Sequence, residues 1–325
     1  MLDRILIATD GHAPSLGALR AGAALARDLG TRTDVVSVLE PAPPFASGGA
    51  GLGGDAWGRI TAAAADTLRA RVREQLELLS GDVAERAPRI VVGPPAPSIV
   101  RLAEEISAQL IVVGLGRHGI ADRWFGTEVA LRVMRLAHVP VLAVPHDGGS
   151  RPSRCVVAMD FTDYSRDAAR VAAAMLSPGG ELHLAHVLWD AQPALHRSGR
   201  SDWLREYRAI VTERLSAEVE DFAASGEFSV RSHMLLGDPF REVLRLAGEL
   251  SADLLAAGSH GAGFVGRVLM GSVSTRLVRG ATCSVLVAPP RSVPGELAGL
   301  RLEPRPADDP GKDAETLVRL AGSPE

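Results

Sequence analysis

Between Gly258 and Ser274 the chain reads GSHGAGFVGRVLMGSVS, with glycine at 258, 261, 263, 266 and 271. Glycine tolerates positive φ and puts no side chain between the main chain and a ligand. A chain that turns here leaves backbone N–H groups unpaired, and such groups collect anions. Gly271-Ser272 stands where a new helical pattern begins, and a helix N-terminus adds free amides and a partial positive charge. Ser272 and Ser274 bring hydroxyl donors. Types and spacing therefore suit a chain of phosphates, with loop amides on one side and a helix start on the other. Asp160 ends an apolar run and would accept hydrogen bonds from ribose hydroxyls. The same glycines would equally serve plain turns, and Ser272 a plain helix cap. Both readings stand at this level.

The elements that must position these residues are written twice. RILIATDGHAPS (4–15) parallels CVVAMDFTDYS (155–165). GPPAPSIVRLAEEISAQLIVVG (93–114) parallels GDPFREVLRLAGELSADLLAAG (237–258), and FGTEVALRVMRLAHVPVLAVP (125–145) parallels MGSVSTRLVRGATCSVLVAP (270–289). Asp10 and Asp160 are 150 residues apart, Gly126 and Gly271 145. The repeat predicts two domains, 1–147 and 152–290, joined by a polar linker at 148–151. The tail 291–325, with scattered prolines and charges, reads as disordered.

Each half alternates apolar runs with helical patterns: RILIAT, DVVSVL, RIVV, LIVVG and VLAV in the first, and their counterparts through SVLVA in the second. In the second half Ser165 is placed to cap a helix, and Asp202 to Ala224 forms a long amphipathic one. Runs apolar on both faces and separated by helices indicate a parallel sheet covered on both sides. The fold class is α/β, two tandem doubly wound domains with five-stranded parallel sheets. Such sheets bind ligands beyond the carboxyl ends of their strands, where strand order switches. The loop 41–58, PAPPFASGGAGLGGDAWG, leaves that edge and reads as a mobile connection or a lid.

The second half resembles the universal stress protein family along nearly its whole length. ATP-binding members of that family carry Gly, two residues, Gly, nine residues, Gly, then Ser or Thr. Gly258-Ser259-His260-Gly261, nine residues, and Gly271-Ser272 fit without a gap. The resemblance implies an adenine-nucleotide alpha-hydrolase-like fold binding ATP, with or without Mg2+. It places Asp160 and Val187 at ribose and adenine, and Gly258, Gly261, Gly271, Ser272, Val273 and Ser274 at the phosphates. The first half resembles the family with departures. It reads Gly114-Leu115-Gly116, nine residues, Gly126-Thr127, one residue short between the first two glycines. Val129 replaces the hydroxyl of Ser274. Glu128 puts a carboxylate at the helix start, where it favours the helix and repels a phosphate. Its counterpart residues Asp10, Val38, Gly114, Gly116, Gly126 and Thr127 are thus the weaker nucleotide site. Family members pair through the last strand of each domain, so VPVLAVP is expected against CSVLVAP within one chain. A further pairing of chains as a homodimer is compatible with this.

Other chemistry fits less well. Two literal G-x-G-x-x-G stretches, at 114–119 and 261–266, follow the fourth strand of their halves, not the first as a dinucleotide fingerprint requires. SGGAG at 47–51 lacks the context of an AMP-forming ligase loop, and no P-loop lysine motif occurs. His118 and His260 lie in the glycine stretches without a placed base and nucleophile. Arg117, Arg123 and Arg267 read as solvated charges, and Trp124 as a packing residue. With 35 basic and 39 acidic residues, the chain shows no bias toward nucleic acid or anionic membranes. No apolar run reaches the length of a membrane span, and MLDRILIATD reads as a first strand, not a signal peptide. Two cysteines, Cys155 and Cys283, fit a reduced cytoplasmic setting. The sequence thus predicts a nucleotide-binding sensor or regulator of stress responses, without catalytic residues. The alternatives are a nucleotide-free interaction module and an ATP-hydrolysing or adenylate-forming enzyme.

Overall fold

Ile5, Leu6 and Ile7 are consecutive in sequence and all lie fully out of solvent, which requires cover on both faces of their strand. That strand is central to a computed structural model describing residues 2–40, 54–79, 83, 86–116, 122–188, 201–224, 226–260 and 270–289. Gly261 with the rest of the glycine stretch, His118, Arg117, Arg267, most of the 41–58 loop and the 291–325 tail lie outside the described residues, as does the side chain of Trp124.

The first half runs β1 (Arg4–Ala8), a 3-10 turn (Ala13–Ser15), α1 (Leu16–Leu29), β2 (Arg32–Leu39), α2 (Gly54–Glu77), β3 (Arg89–Val92), α3 (Pro95–Glu105), β4 (Leu110–Leu115), α4 (Asp122–Leu136) and β5 (Val141–Pro145). The second half repeats it as β6 (Arg154–Ala158), α5 (Asp163–Met175), β7 (Glu181–Leu188), α6 (Ser201–Ala223), β8 (Ser229–Leu236), α7 (Pro239–Glu249), β9 (Leu254–Gly258), α8 (Ser272–Gly280) and β10 (Ser284–Ala288).

The two parallel sheets join into one of ten strands, ordered β3-β2-β1-β4-β5-β10-β9-β6-β7-β8. The join is antiparallel, between β5 and β10, with Val285 opposite Ala143, Leu286 opposite Leu142 and Val287 opposite Val141. This is the intramolecular pairing of last strands that the family resemblance implies. Strand order reverses between β1 and β4 and again between β6 and β9, so each half has its own switch point. One apolar layer lies under α1, α2, α5 and α6, the other under α3, α4, α7 and α8, and each continues across the join.

Two helix starts differ from the sequence reading. Thr162, not Ser165, caps α5, accepting from the Ser165 amide at 3.3 Å. Ser165 is buried one turn in, and its hydroxyl donates to the Thr162 carbonyl at 3.0 Å. Helix α4 begins at Asp122, so Gly126 and Thr127 lie in its second turn and not at its start.

Candidate functional site

The site in the second half starts from the turn that follows β6. Asp160 Oδ1 accepts from the Thr162 amide at 3.1 Å and from its hydroxyl at 2.5 Å, a local turn that fixes the carboxylate. Among the described residues Oδ2 has no partner. Because Ala158 pairs with Ala185, two residues further on brings Asp160 level with Val187 at the end of β7. The Val187 side chain packs into the α7–α8 layer, so only its main chain is presented toward the strand ends.

Gly258 closes β9 against this turn. A Cβ on Gly258 would lie 2.6 Å from Tyr164 Cβ and 3.0 Å from the Ser165 amide. This glycine exists to let the start of α5 come down onto the strand end. Its ladder continues one residue on, where Ser259 N–H donates to the Ala288 carbonyl at 2.8 Å. The chain returns at Gly271, whose N–H donates to Ser259 O at 2.6 Å. The Gly271 amide is therefore engaged inside the protein. Gly271 is also the N-cap of α8, and the helix offers no intrahelical acceptor to the amides of Ser272, Val273 and Ser274. No acidic residue sits in the first turn of α8. Amides without an intrahelical acceptor, at the positive end of the helix, suit an anion there. Ser272 is exposed beside them. Ser274 is buried, and its hydroxyl donates to the Gly271 carbonyl at 3.0 Å. His260 stacks obliquely on Tyr164, ring centroids 5.5 Å apart, with Nδ1 2.9 Å from the Ser259 hydroxyl.

The first half brings its counterparts together more tightly. Asp10 accepts from the His12 amide at 2.9 Å and, through Ala8 opposite Val36, stands level with Val38. A Cβ on Gly114 would lie 3.0 Å from Ser15 Cα. A Cβ on Gly126 would lie 2.8 Å from the Gly116 amide, and the Thr127 hydroxyl donates to the Gly116 carbonyl at 3.2 Å. With α4 starting at Asp122, the Gly126 and Thr127 amides fall within its hydrogen-bond ladder. Glu128, read from sequence as a charge near the phosphates, accepts from Arg279 of α8 at 2.7 Å, an ion pair between the halves.

Three histidines on β7 and β8 share one electrostatic trait. Burial lowers the pKa of His186, opposed by its bond to the Met159 carbonyl and by Asp160. Burial also lowers His183, opposed by Glu181, and His233, where His183 and Arg231 add to the effect. An unfolded histidine titrates near 6.5, so below that pH the unfolded chain binds more protons than the folded one. Stability is therefore full above about 6.5 and falls as pH drops toward each folded value. Urea midpoints measured from pH 7.5 to 5 should decline below 6.5. The decline should be shallower in a His183→Gln, His233→Gln double variant; an equal slope would assign the acid sensitivity elsewhere.

A cleft of about 510 Å³ at the join, lined by Arg20, Leu142, Pro145, Asp253 and Cys283 among others, is separate from both switch points. Among the described residues no group of three or more His, Cys, Asp or Glu comes together as a metal site, and no helix is long and apolar enough to cross a membrane.

The fold defines a doubly wound α/β protein built in duplicate, with a switch point in each copy. The profile of the universal stress protein family matches residues 1–145 and 152–289, and the chain belongs to that family. A universal stress protein of Methanocaldococcus jannaschii is 25% identical over 163 residues, 48% of this chain and 92% of that one. The crystal structure of a universal stress protein from Archaeoglobus fulgidus superposes with a TM-score of 0.58 at 22% identity, covering 89% of this chain and 96% of that one. A universal stress protein solved in complex with cAMP is 23% identical, with a TM-score of 0.30 over 45% of this chain and 98% of that one.

Proposed function

We propose that this tandem universal stress protein binds ATP or a related adenine nucleotide, chiefly in its second half, as a sensor or regulator of stress responses. The observation that carries the reading is the start of α8, where the amides of Ser272, Val273 and Ser274 have no intrahelical acceptor and no acid stands in the first turn. Asp160, fixed by Thr162 and level with Val187, would take the ribose, and the Val187 main chain the base. A bound triphosphate would supply negative charge to the helix start, with Mg2+ reached through its own oxygens. Occupancy would act through shape and partner choice, without a hydrolytic step assigned to any residue. A cytoplasmic setting is in keeping with Cys155 and Cys283, which form no disulfide. The first half is the weaker site because Gly126 and Thr127 lie inside α4 and Glu128 stands beside them.

A nucleotide-free interaction module is the second reading. It is favoured by Gly258 and Gly271, whose close contacts serve the fold itself. Thermal-shift titration with ATP, ADP and AMP separates the two. A ligand at 100 times its Kd stabilises by about 2.7 kcal/mol. Ser272→Asp sharpens the test. The side chain is exposed, and an acid there should keep or raise stability by about 0.3–1 kcal/mol through the helix dipole. The same charge should remove the nucleotide shift. A wild-type protein that gives no shift at millimolar nucleotide supports the interaction module, and a shift that survives Ser272→Asp moves the site away from α8.

A further inference from the structure

The cleft of about 510 Å³ at the join belongs to neither nucleotide crevice, and both halves build it. Because β5 and β10 run antiparallel, the carboxyl end of one lies beside the amino end of the other. Val285 faces Ala143, so two residues along Cys283 comes level with Pro145, and both line the cleft. Ala21 and Leu25, one turn apart on α1, and Leu142 of β5 give it an apolar floor. The linker forms its rim from 147 to 150. That linker is tied to both halves: the Gly148 amide donates to the Pro145 carbonyl at 2.9 Å, and Arg151 Nε donates to the Met175 carbonyl at 3.0 Å. The cleft is therefore formed before any ligand arrives, and its volume is that of a small-molecule site.

Three charged side chains line it: Arg20, Asp147 and Asp253. Asp253 is committed to the protein. Its Oδ2 accepts from the Ser153 amide at 2.8 Å and the Ser153 hydroxyl at 2.7 Å, and its Oδ1 from the Arg154 amide at 3.0 Å. Arg20 and Asp147 are not committed. Among the described residues, neither side chain makes a hydrogen bond or an ion pair, with the other or with any third group. The linker confines the arginine: a Cβ on Gly149 would lie 2.6 Å from Arg20 Cβ and 3.0 Å from its Cδ. Single exposed charges are common on any surface and signify nothing alone. Here two of opposite sign, unpaired with each other, border one concave site with an apolar floor.

Charge complementarity selects the ligand. With two carboxylates against one guanidinium, the lining is net negative, which disfavours a plain anion and most of all a nucleotide. A plain cation leaves the guanidinium without a partner. A zwitterion serves both groups. We infer that this cleft binds a free amino acid with an aliphatic side chain. Its carboxylate meets Arg20, whose planar fork suits a carboxylate, and its ammonium meets Asp147. Its side chain lies against Leu25 and Leu142. The site is independent of the nucleotide reading, and the failure of either leaves the other standing.

Leucine, leucinamide and N-acetyl-leucine, titrated into the full chain by calorimetry, test it. Leucinamide lacks the carboxylate and N-acetyl-leucine the ammonium. Losing a hydrogen-bonded charge pair should weaken each analogue at least about tenfold against leucine. Arg20→Gln should erase the penalty on leucinamide and keep that on N-acetyl-leucine, and Asp147→Asn should do the converse. Both side chains are exposed, so neither variant should move the urea midpoint. Leucine should also slow maleimide labelling of Cys283 on the cleft wall, while Cys155, fully buried, stays unreactive. The inference is wrong if leucine, isoleucine and valine all fail to bind at millimolar concentration, or if either analogue binds as well as leucine. It is equally wrong if both variants leave the ratios unchanged, or if saturating leucine leaves the labelling rate of Cys283 as it was.

Discussion

Leu286→Asp is expected to destabilise the chain by about 4 kcal/mol or more and to split its unfolding into two transitions. Leu286 is fully buried on β10 and faces Leu142 of β5 across the antiparallel join. Truncating a buried leucine alone costs about 2–5 kcal/mol. An ionised carboxylate placed there has no partner, which adds a desolvation penalty or forces the group to take up a proton. Whole domains are stable by only about 5–15 kcal/mol, so a loss of this size is decisive. The join is where two otherwise complete sheets meet, and each half keeps its own parallel ladder when the join opens. Calorimetry or urea unfolding should therefore resolve one transition per half. The opened β5 and β10 edges should also promote association between chains, visible by light scattering. A single cooperative transition with a midpoint near that of the wild type would show that the apolar layers, not the strand pairing, bind the halves.

The strands were legible because their burial is two-sided. Runs such as Ile5 to Ile7 or Leu254 to Ala257 have no polar alternation to blur them, and every strand expected from the sequence is present within a few residues. The join was legible from the repeat, once family resemblance suggested which strands meet. Helix starts were less so, because several polar residues in a row can each serve as a cap. Thr162 and Ser165 are both good N-caps, and only the fold shows Ser165 already inside the helix. In the first half GTEV looked like a helix start by analogy with GSVS, but α4 starts one turn earlier, at Asp122. The partner of Glu128 was beyond sequence reasoning, since Arg279 is 151 residues away and in the other half. The left-handed conformation of Phe161 has a signal in the repeat. Its counterpart in the first half is Gly11, and a glycine at one copy of a turn marks the left-handed position in the other.

The motif glycines also divide by role, which composition could not reveal. Gly271 is the N-cap of α8, whereas Gly258 makes room for another element. Gly258→Val is therefore expected to act on stability first and on ligand second. Its Cβ would sit 2.6 Å from Tyr164 Cβ and 2.9 Å from the Tyr164 carbonyl carbon, and two further methyls make the overlap worse. Backbone atoms cannot turn aside as a flexible side chain does, so the start of α5 must move. Overpacking of this kind costs about 1–3 kcal/mol, and the rigid backbone contact argues for the upper part of that range. Moving α5 shifts Thr162, whose amide and hydroxyl hold Asp160, so any nucleotide shift should fall together with the urea midpoint. Ser272→Asp should do the reverse, abolishing the shift while the midpoint holds. Gly114→Val, where the nearest atom is Ser15 Cα at 3.0 Å, should lower stability through the first half with less effect on ligand. A Gly258→Val protein with wild-type stability and no ligand would assign that glycine to the ligand after all, and would undo the packing account given for it.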